Sequence, residues 1–151
     1  MITSFLDLDV YKESFQLSLE IEEIVGGYPK SERYLLVDQL KRASRAIPAL
    51  IAEGYTKRET LAVFKKMLRD AIGEANEMIN HLAFSRAKGY IKPERAERLI
   101  ERYHIVGKKL SKLKDKIIGE TINLISRFIF HLPISHFLFL NRNPQRLYAG
   151  A

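Results

Sequence analysis

The sequence predicts an all-α protein: an antiparallel up-down-up-down four-helix bundle over residues 1–118, followed by a C-terminal extension over 119–151. Three observations carry this. Four stretches place apolar residues at alternating steps of three and four, which lines one face of a helix. Glycine or proline separates each stretch from the next, at Gly26-Gly27, Gly54, and Gly89 with Pro93. No segment shows the period-two alternation of a surface strand. A chain of 151 residues makes one ordinary domain and is long enough to bury a core.

Helix 1 is expected over about 9–25. Val10, Leu17 and Ile24 form one row with Ile21 beside them, and Glu13, Glu20 and Glu23 flank it. Gly26-Gly27 is expected to stop it through a left-handed cap. Helix 2 is expected over about 30–53, with Leu36, Leu40, Ala43, Ile47 and Leu50 as its core row and Val37, Ser44 and Ile51 widening it. Pro48 lies inside that periodic run. Its ring crowds the carbonyl one turn back, so a bent but single helix is predicted. Gly54 is read as its stop. Thr56-Lys57-Arg58-Glu59 has the form of a capping box, which starts helix 3 at about 57. Leu61, Phe64, Leu68, Ala71, Ala75, Met78 and Leu82 keep the spacing to about 88, where Gly89 ends the helix. Pro93 suits the first turn of helix 4, and Ala96, Leu99, Tyr103, Val106, Leu110, Leu113 and Ile117 continue the pattern to 118 or slightly beyond. Short connections between such helices give antiparallel neighbours. Beyond Ile118, Ser126 to Leu140 is aromatic and apolar without a clear helical face, and residues 141–151 read as a loose tail.

The formal net charge is +7 and the pI is near 9.6. That surplus favours an acidic partner, with nucleic acid first and an anionic membrane surface second. The absence of cysteine excludes a disulfide framework and a thiolate metal site, and fits a reducing compartment. The N-terminus lacks the basic and apolar regions of a signal peptide. The most apolar run, Ile117 to Leu140, is broken by Glu120, Arg127 and Pro133, so no integral membrane span is predicted. A cytoplasmic protein is expected.

Several kinds of chemistry find little support. A di-iron bundle needs carboxylates and Glu-x-x-His pairs projecting inward. Glu101-Arg-Tyr-His104 has the spacing once, and at 100° per residue it points away from the Leu99/Tyr103/Val106 face. Asp70, Glu74, Glu77 and His81 form a line on helix 3 about 110° from its core stripe. That line reads as a solvated or subunit-facing acidic face. No glycine-rich phosphate loop or nucleophile elbow is present. No catalytic, cofactor-binding or metal-binding residue is therefore assigned.

The basic residues are more informative. Arg95, Arg98, Arg102, Lys109, Lys112 and Lys116 make a stripe along helix 4. Lys41, Arg42 and Arg45 cluster on helix 2. Lys57, Arg58, Lys65, Lys66 and Arg69 gather at the start of helix 3. In one reading the stripe pairs with acidic lines on helix 1 or on a neighbour's helix 3, and sets register. In the other, the cations face phosphates and make binding salt-dependent. Few exposed aromatics interleave with the clusters, so recognition of backbone and shape is expected rather than base stacking. Glu53, Asp70, Glu74 and Glu77 are candidates for subunit contacts.

Gln39-Leu-Lys-Arg-Ala-Ser44 with Ile47-Pro-Ala-Leu-Ile-Ala-Glu-Gly-Tyr55 resembles the bacterial four-helix-bundle proteins named after 23S ribosomal RNA intervening sequences. Phe5-Leu-Asp-Leu-Asp-Val-Tyr11, Tyr28-Pro-Lys-Ser-Glu-Arg-Tyr34, Ala71-Ile-Gly-Glu-Ala-Asn-Glu77 and Gly89-Tyr-Ile91 support the resemblance, which runs from about Phe5 to Ile117. One departure is Thr56, where the family pattern has another glycine. The resemblance implies a ring-like homopentamer without enzymatic activity or cofactor. A related branch, the accessory proteins of diversity-generating retroelements, implies binding to a reverse transcriptase and to RNA or DNA. The expectation is a non-enzymatic homo-oligomer that binds nucleic acid or a ribonucleoprotein partner through basic surfaces. The alternative is an interaction scaffold whose basic stripe is used between subunits.

Overall fold

The computed structural model describes residues 3–131, with side-chain surroundings through residue 116. Four helices follow one another: α1 (Asp9–Val25), α2 (Leu36–Thr56), α3 (Leu61–Ala87) and α4 (Pro93–His131). Short 3-10 turns at Phe5–Asp7 and Lys30–Glu32 precede the first two. Met1–Lys114 form one compact unit and Asp115–Ala151 a second. The extension expected over 119–151 lies outside the described residues beyond His131. The first unit is the all-α antiparallel bundle that the periodicity predicts.

Its core is built from the predicted rows. Leu17, Ile21, Leu40, Ile47, Ile51, Leu68, Met78, Leu82, Leu99, Tyr103, Val106 and Leu110 are essentially inaccessible to solvent. Each such aliphatic side chain contributes about 1.5–3 kcal/mol relative to leaving it exposed. Four expected core positions, Ile24, Leu50, Leu61 and Leu113, are only half-buried. Ser14, Ser18 and Ser44 are buried because each hydroxyl donates to a carbonyl three residues back, at 2.7–3.1 Å. The cost of burying the hydroxyl is thereby met inside the helix.

The boundaries depart from expectation between helices 1 and 3. Gly26 ends α1 in the right-handed region, at φ −60°, and its amide reaches back to Glu23. No left-handed cap is used there. Helix 2 begins at Leu36 rather than at 30, because Glu32 is drawn inward toward the α3–α4 corner, as described below. Gly54 does not stop α2 either. A Cβ there would lie 3.0 Å from Met67 Cβ and 3.0 Å from a Phe64 ring carbon. The glycine lets α3 approach, and α2 runs on to Thr56. The Thr56 hydroxyl donates to the Ala52 carbonyl at 3.0 Å. It therefore finishes α2 instead of capping α3, which starts after Thr60. The helix passes through Pro48 as one element.

At the far end the expectation holds. Gly89 adopts φ +72°, which a side-chain-bearing residue rarely accepts. The Tyr90 amide donates to the Ser85 carbonyl and the Gly89 amide to Arg86, at 2.9 and 3.0 Å. These bonds satisfy the last carbonyls of α3. Pro93 then opens α4.

Candidate nucleic-acid interface

The basic stripe on α4 divides in two. Arg95, Arg102 and Lys109 turn toward α1 and meet its acidic line. The Arg102 guanidinium lies 2.6 Å from Glu20 and 3.4 Å from Glu13. The Lys109 ammonium lies 3.4 Å from Glu13. Arg95 lies 3.9 Å from Glu20 and 3.8 Å from Glu23. Glu13 and Glu20 each serve two cations, so the seam is a connected ladder rather than isolated pairs. Arg98 and Lys112 are exposed and make no ion pair among the described residues. Lys116 is exposed and lies in the second compact unit.

The α2 cluster divides in the same way. Lys41, 3.3 Å from Glu22, and Arg45 both pair with that α1 residue. Arg42 is exposed without an ion pair. The expectation that all three lie on the far side of α2 holds only for Arg42. Helix α1 passes close enough on that flank for Glu22 to reach the other two.

At the start of α3, Lys57 pairs with Glu53 at 2.5 Å and Lys66 with Asp70 at 2.6 Å, each one turn apart on its own segment. Exposed pairs of this kind contribute about 0–1 kcal/mol. Arg58 lies 4.3 Å over the Tyr55 ring and donates to the Tyr55 carbonyl at 2.9 Å. Lys65 and Arg69 carry no ion pair among the described residues. Glu53 and Asp70, expected at subunit contacts, thus have partners inside the chain.

Glu74 and Glu77 face α2 across a groove of about 860 Å³, floored by Ala43, Ala46 and Ala49, with Arg42 on the opposite wall and His81 beside them. Burial raises the Glu74 carboxyl above its ordinary pKa, and the Glu77 charge adds to the rise. Burial lowers the His81 imidazole. The acidic line borders a groove and does not enter the core. Glu101 and His104 are exposed on α4. No group of three or more potential metal ligands occurs among the described residues.

Sequence reasoning missed one constellation. Glu32 is a buried carboxylate, 6% exposed. It accepts from the Lys88 ammonium at 2.6 Å and from the Tyr90 hydroxyl at 3.0 Å. Tyr28 and Tyr90 pack with ring centroids 5.4 Å apart. The Lys88 contact holds the Glu32 carboxyl below its usual range, with Tyr90 and a backbone amide adding to it, and Glu32 raises Lys88 in return. Tyr28, Glu32 and Tyr90 come from Tyr28–Tyr34 and Gly89–Ile91, two blocks that carried the resemblance, and Lys88 directly precedes the second. Their shared role is to fasten the α1–α2 connection to the α3–α4 corner. Nothing in their local spacing signals a contact 56 residues apart in sequence. Lys108, exposed on the outer side of α4, also escaped notice, because it falls out of register with the stripe.

No helix among the described residues is long and apolar enough to cross a membrane. Among solved structures, a protein of unknown function from the S23 ribosomal protein family of Bacteroides thetaiotaomicron is similar to this chain. It superposes with a TM-score of 0.64 at 22% identity, covering 70% of this chain and 95% of that one. At that identity the likeness concerns the fold. No curated protein matches the chain. The family description that fits residues 6–112 is 23S rRNA-intervening sequence protein. That span takes in all of α1, α2 and α3 and most of the compact part of α4, so the protein belongs to the 23S rRNA-intervening sequence protein family.

Proposed function

We propose that the protein is a non-enzymatic homo-oligomer, a pentamer by family resemblance, that binds nucleic acid or a ribonucleoprotein partner in the cytoplasm. The observation that carries this reading is the charge left over after internal pairing. The chain has a surplus of +7, and Lys65, Arg69, Arg98 and Lys112 meet no acid among the described residues, while Arg42 faces Glu74 across the groove. Cations held in this way attract phosphate and release its counterions on contact. Assembly into a ring multiplies the surplus. Self-association is supported by large apolar side chains left exposed on α1, Phe15 and Leu19, and near the opposite end of the bundle, Tyr34, Leu35 and Phe84.

The second reading is an interaction scaffold without nucleic-acid binding. The same exposed apolar side chains favour it. Its basic stripe, however, is partly consumed within the subunit, by Glu13 and Glu20, rather than left for a neighbour. Filter binding of generic RNA and DNA across a salt series separates the two. Binding at low salt that weakens steeply as salt rises supports the first reading, and no binding at low salt supports the second. The mass in solution tests the assembly, and a monomer contradicts it.

A further inference from the structure

Charge is graded along α3 and α4, in opposite senses. On α3, Lys65, Lys66 and Arg69 come before Asp70, Glu74 and Glu77. On α4, Arg95, Arg98 and Arg102 balance Glu94, Glu97 and Glu101, and Lys108, Lys109 and Lys112 follow with no acid among them. The chain reverses across residues 88–92, and Arg86 near the end of α3 meets Glu97 in the second turn of α4 at 3.3 Å. The two helices therefore run antiparallel from that corner, and both basic stretches lie remote from it. At 1.5 Å per residue, Lys65 lies about 33 Å from the Ala87 end of α3 and Lys112 about 29 Å from Pro93. The two rows are level.

Internal pairing removes two of these cations, Lys66 to Asp70 and Lys109 to Glu13. Lys65 and Arg69 on α3, and Lys108 and Lys112 on α4, have no ion pair among the described residues. Arg69, Lys108 and Lys112 are exposed and Lys65 is half-buried. Helical rotation places Lys65 and Arg69 on the flank of α3 away from the Glu74/His81 groove, and Lys108 and Lys112 on the outer side of α4. Within each row the two cations are one turn apart, about 6 Å. Packed helices bring their axes to about 8–10 Å.

We propose that Lys65, Arg69, Lys108 and Lys112 form a cradle for a nucleic-acid phosphate backbone beside the first turns of α3 and the middle of α4, remote from Gly89. This rests on the nucleic-acid reading above and gives that binding a place and a mode. The contacts are ionic, made by flexible side chains without a fixed fork of base-reading groups, so they select backbone over sequence. A bilayer-binding surface needs a large apolar face beneath its cations. Among the described residues, Ile105, at 37% exposure, is the only large exposed apolar side chain on either helix near these cations, because Phe84 sits at the opposite end of α3.

The test uses the full chain and a variant carrying Lys65→Gln, Arg69→Gln, Lys108→Gln and Lys112→Gln. Both are titrated with a mixed-sequence duplex RNA and with one of its strands over a salt series. Far-ultraviolet circular dichroism and thermal unfolding establish that the variant is folded. A second variant, Lys30→Gln with Lys92→Gln, removes exposed cations from the other end of the bundle. For full engagement of four phosphates, the slope of log affinity against log salt becomes shallower by about 3.6 on duplex, or about 2.8 on single strand, in the first variant only. An unchanged slope in the first variant, with clear wild-type binding, overturns the cradle and leaves nucleic-acid binding in place. Equal losses in both variants overturn it in favour of diffuse attraction. No wild-type binding at low salt, whether or not vesicles of mixed neutral and anionic lipid are bound, overturns both the cradle and the reading beneath it.

Discussion

On the side of α4 that faces α1, Arg95, Arg102 and Lys109 each lie 2.6 to 3.9 Å from a glutamate. On its outer side Arg98, Lys108 and Lys112 meet no acid among the described residues. All six share one helix and one sign of charge, and they are only one to three residues out of phase with each other. The difference lies in what stands opposite. Glu13 and Glu20 turn the inner side into a seam that helps hold α1 in register. Among the described residues, nothing comparable covers the outer side. A cation stripe read as one feature is two, and only the second is open to a partner.

Reversing the inner side gives the largest effect. Glu13→Lys with Glu20→Lys replaces the attractive pairs with like charges facing Arg102 and Lys109. With each lost pair contributing up to about 1 kcal/mol and repulsion adding a similar amount, the double variant is expected to lose about 2–3 kcal/mol. Urea denaturation followed by circular dichroism measures it, and a loss below about 0.5 kcal/mol means the ladder does not set the α1–α4 register.

A smaller change comes from Tyr103, which lies in the core directly after Arg102. Its ring is fully buried and its hydroxyl has no hydrogen-bond partner. Burial also pushes its pKa up. Tyr103→Phe removes an unsatisfied group without changing the packing and is expected to stabilise by about 1 kcal/mol. A drop in melting temperature would show that the hydroxyl has a partner in solution.

The outer side should respond least. Lys112→Ala removes an exposed side chain with no ion pair, and its effect on stability is expected within about 0.5 kcal/mol. The same denaturation assay checks it, and a larger loss would move Lys112 into the structural class with Arg102.

Glu32 makes the stability depend on pH. Its carboxyl is held below the ordinary value of 4.5 in the folded state, chiefly by Lys88. The unfolded chain therefore takes up its proton first as pH falls. The contribution is complete above about pH 4.5 and is lost as pH drops through the lower folded value. The stability difference between wild type and Glu32→Gln, measured by urea denaturation, should be constant from pH 6 to 8 and shrink below pH 4. A difference that persists at pH 3 contradicts the assignment.

Much of the fold was legible because it rests on periodicity. The rows through Leu40, Leu68 and Leu99 are buried as their spacing requires. The failures came where one residue answers to a distant one. Gly54 reads as a helix stop in isolation, yet it is there because Phe64 and Met67 come close. Thr56-Lys57-Arg58-Glu59 reads as a capping box, but the helix before it had not ended. Glu32 reads as a surface charge until Lys88 and Tyr90 stand next to it. The candidate interface was legible as charge and illegible as pairing. The phase of Arg102 and Arg98 on the helix was known, but which phase faces Glu20 depends on how α1 and α4 are docked.

The most direct measurement sets the two sides of α4 against each other in one assay. Arg102→Gln with Lys109→Gln, and Lys108→Gln with Lys112→Gln, are compared with wild type for duplex RNA binding over a salt series. The account predicts that the inner pair lowers stability and leaves the salt slope unchanged. The outer pair leaves stability unchanged and makes the slope shallower by about 1.8, at about 0.9 per phosphate contact. A shallower slope for the inner pair, with none for the outer, would contradict it.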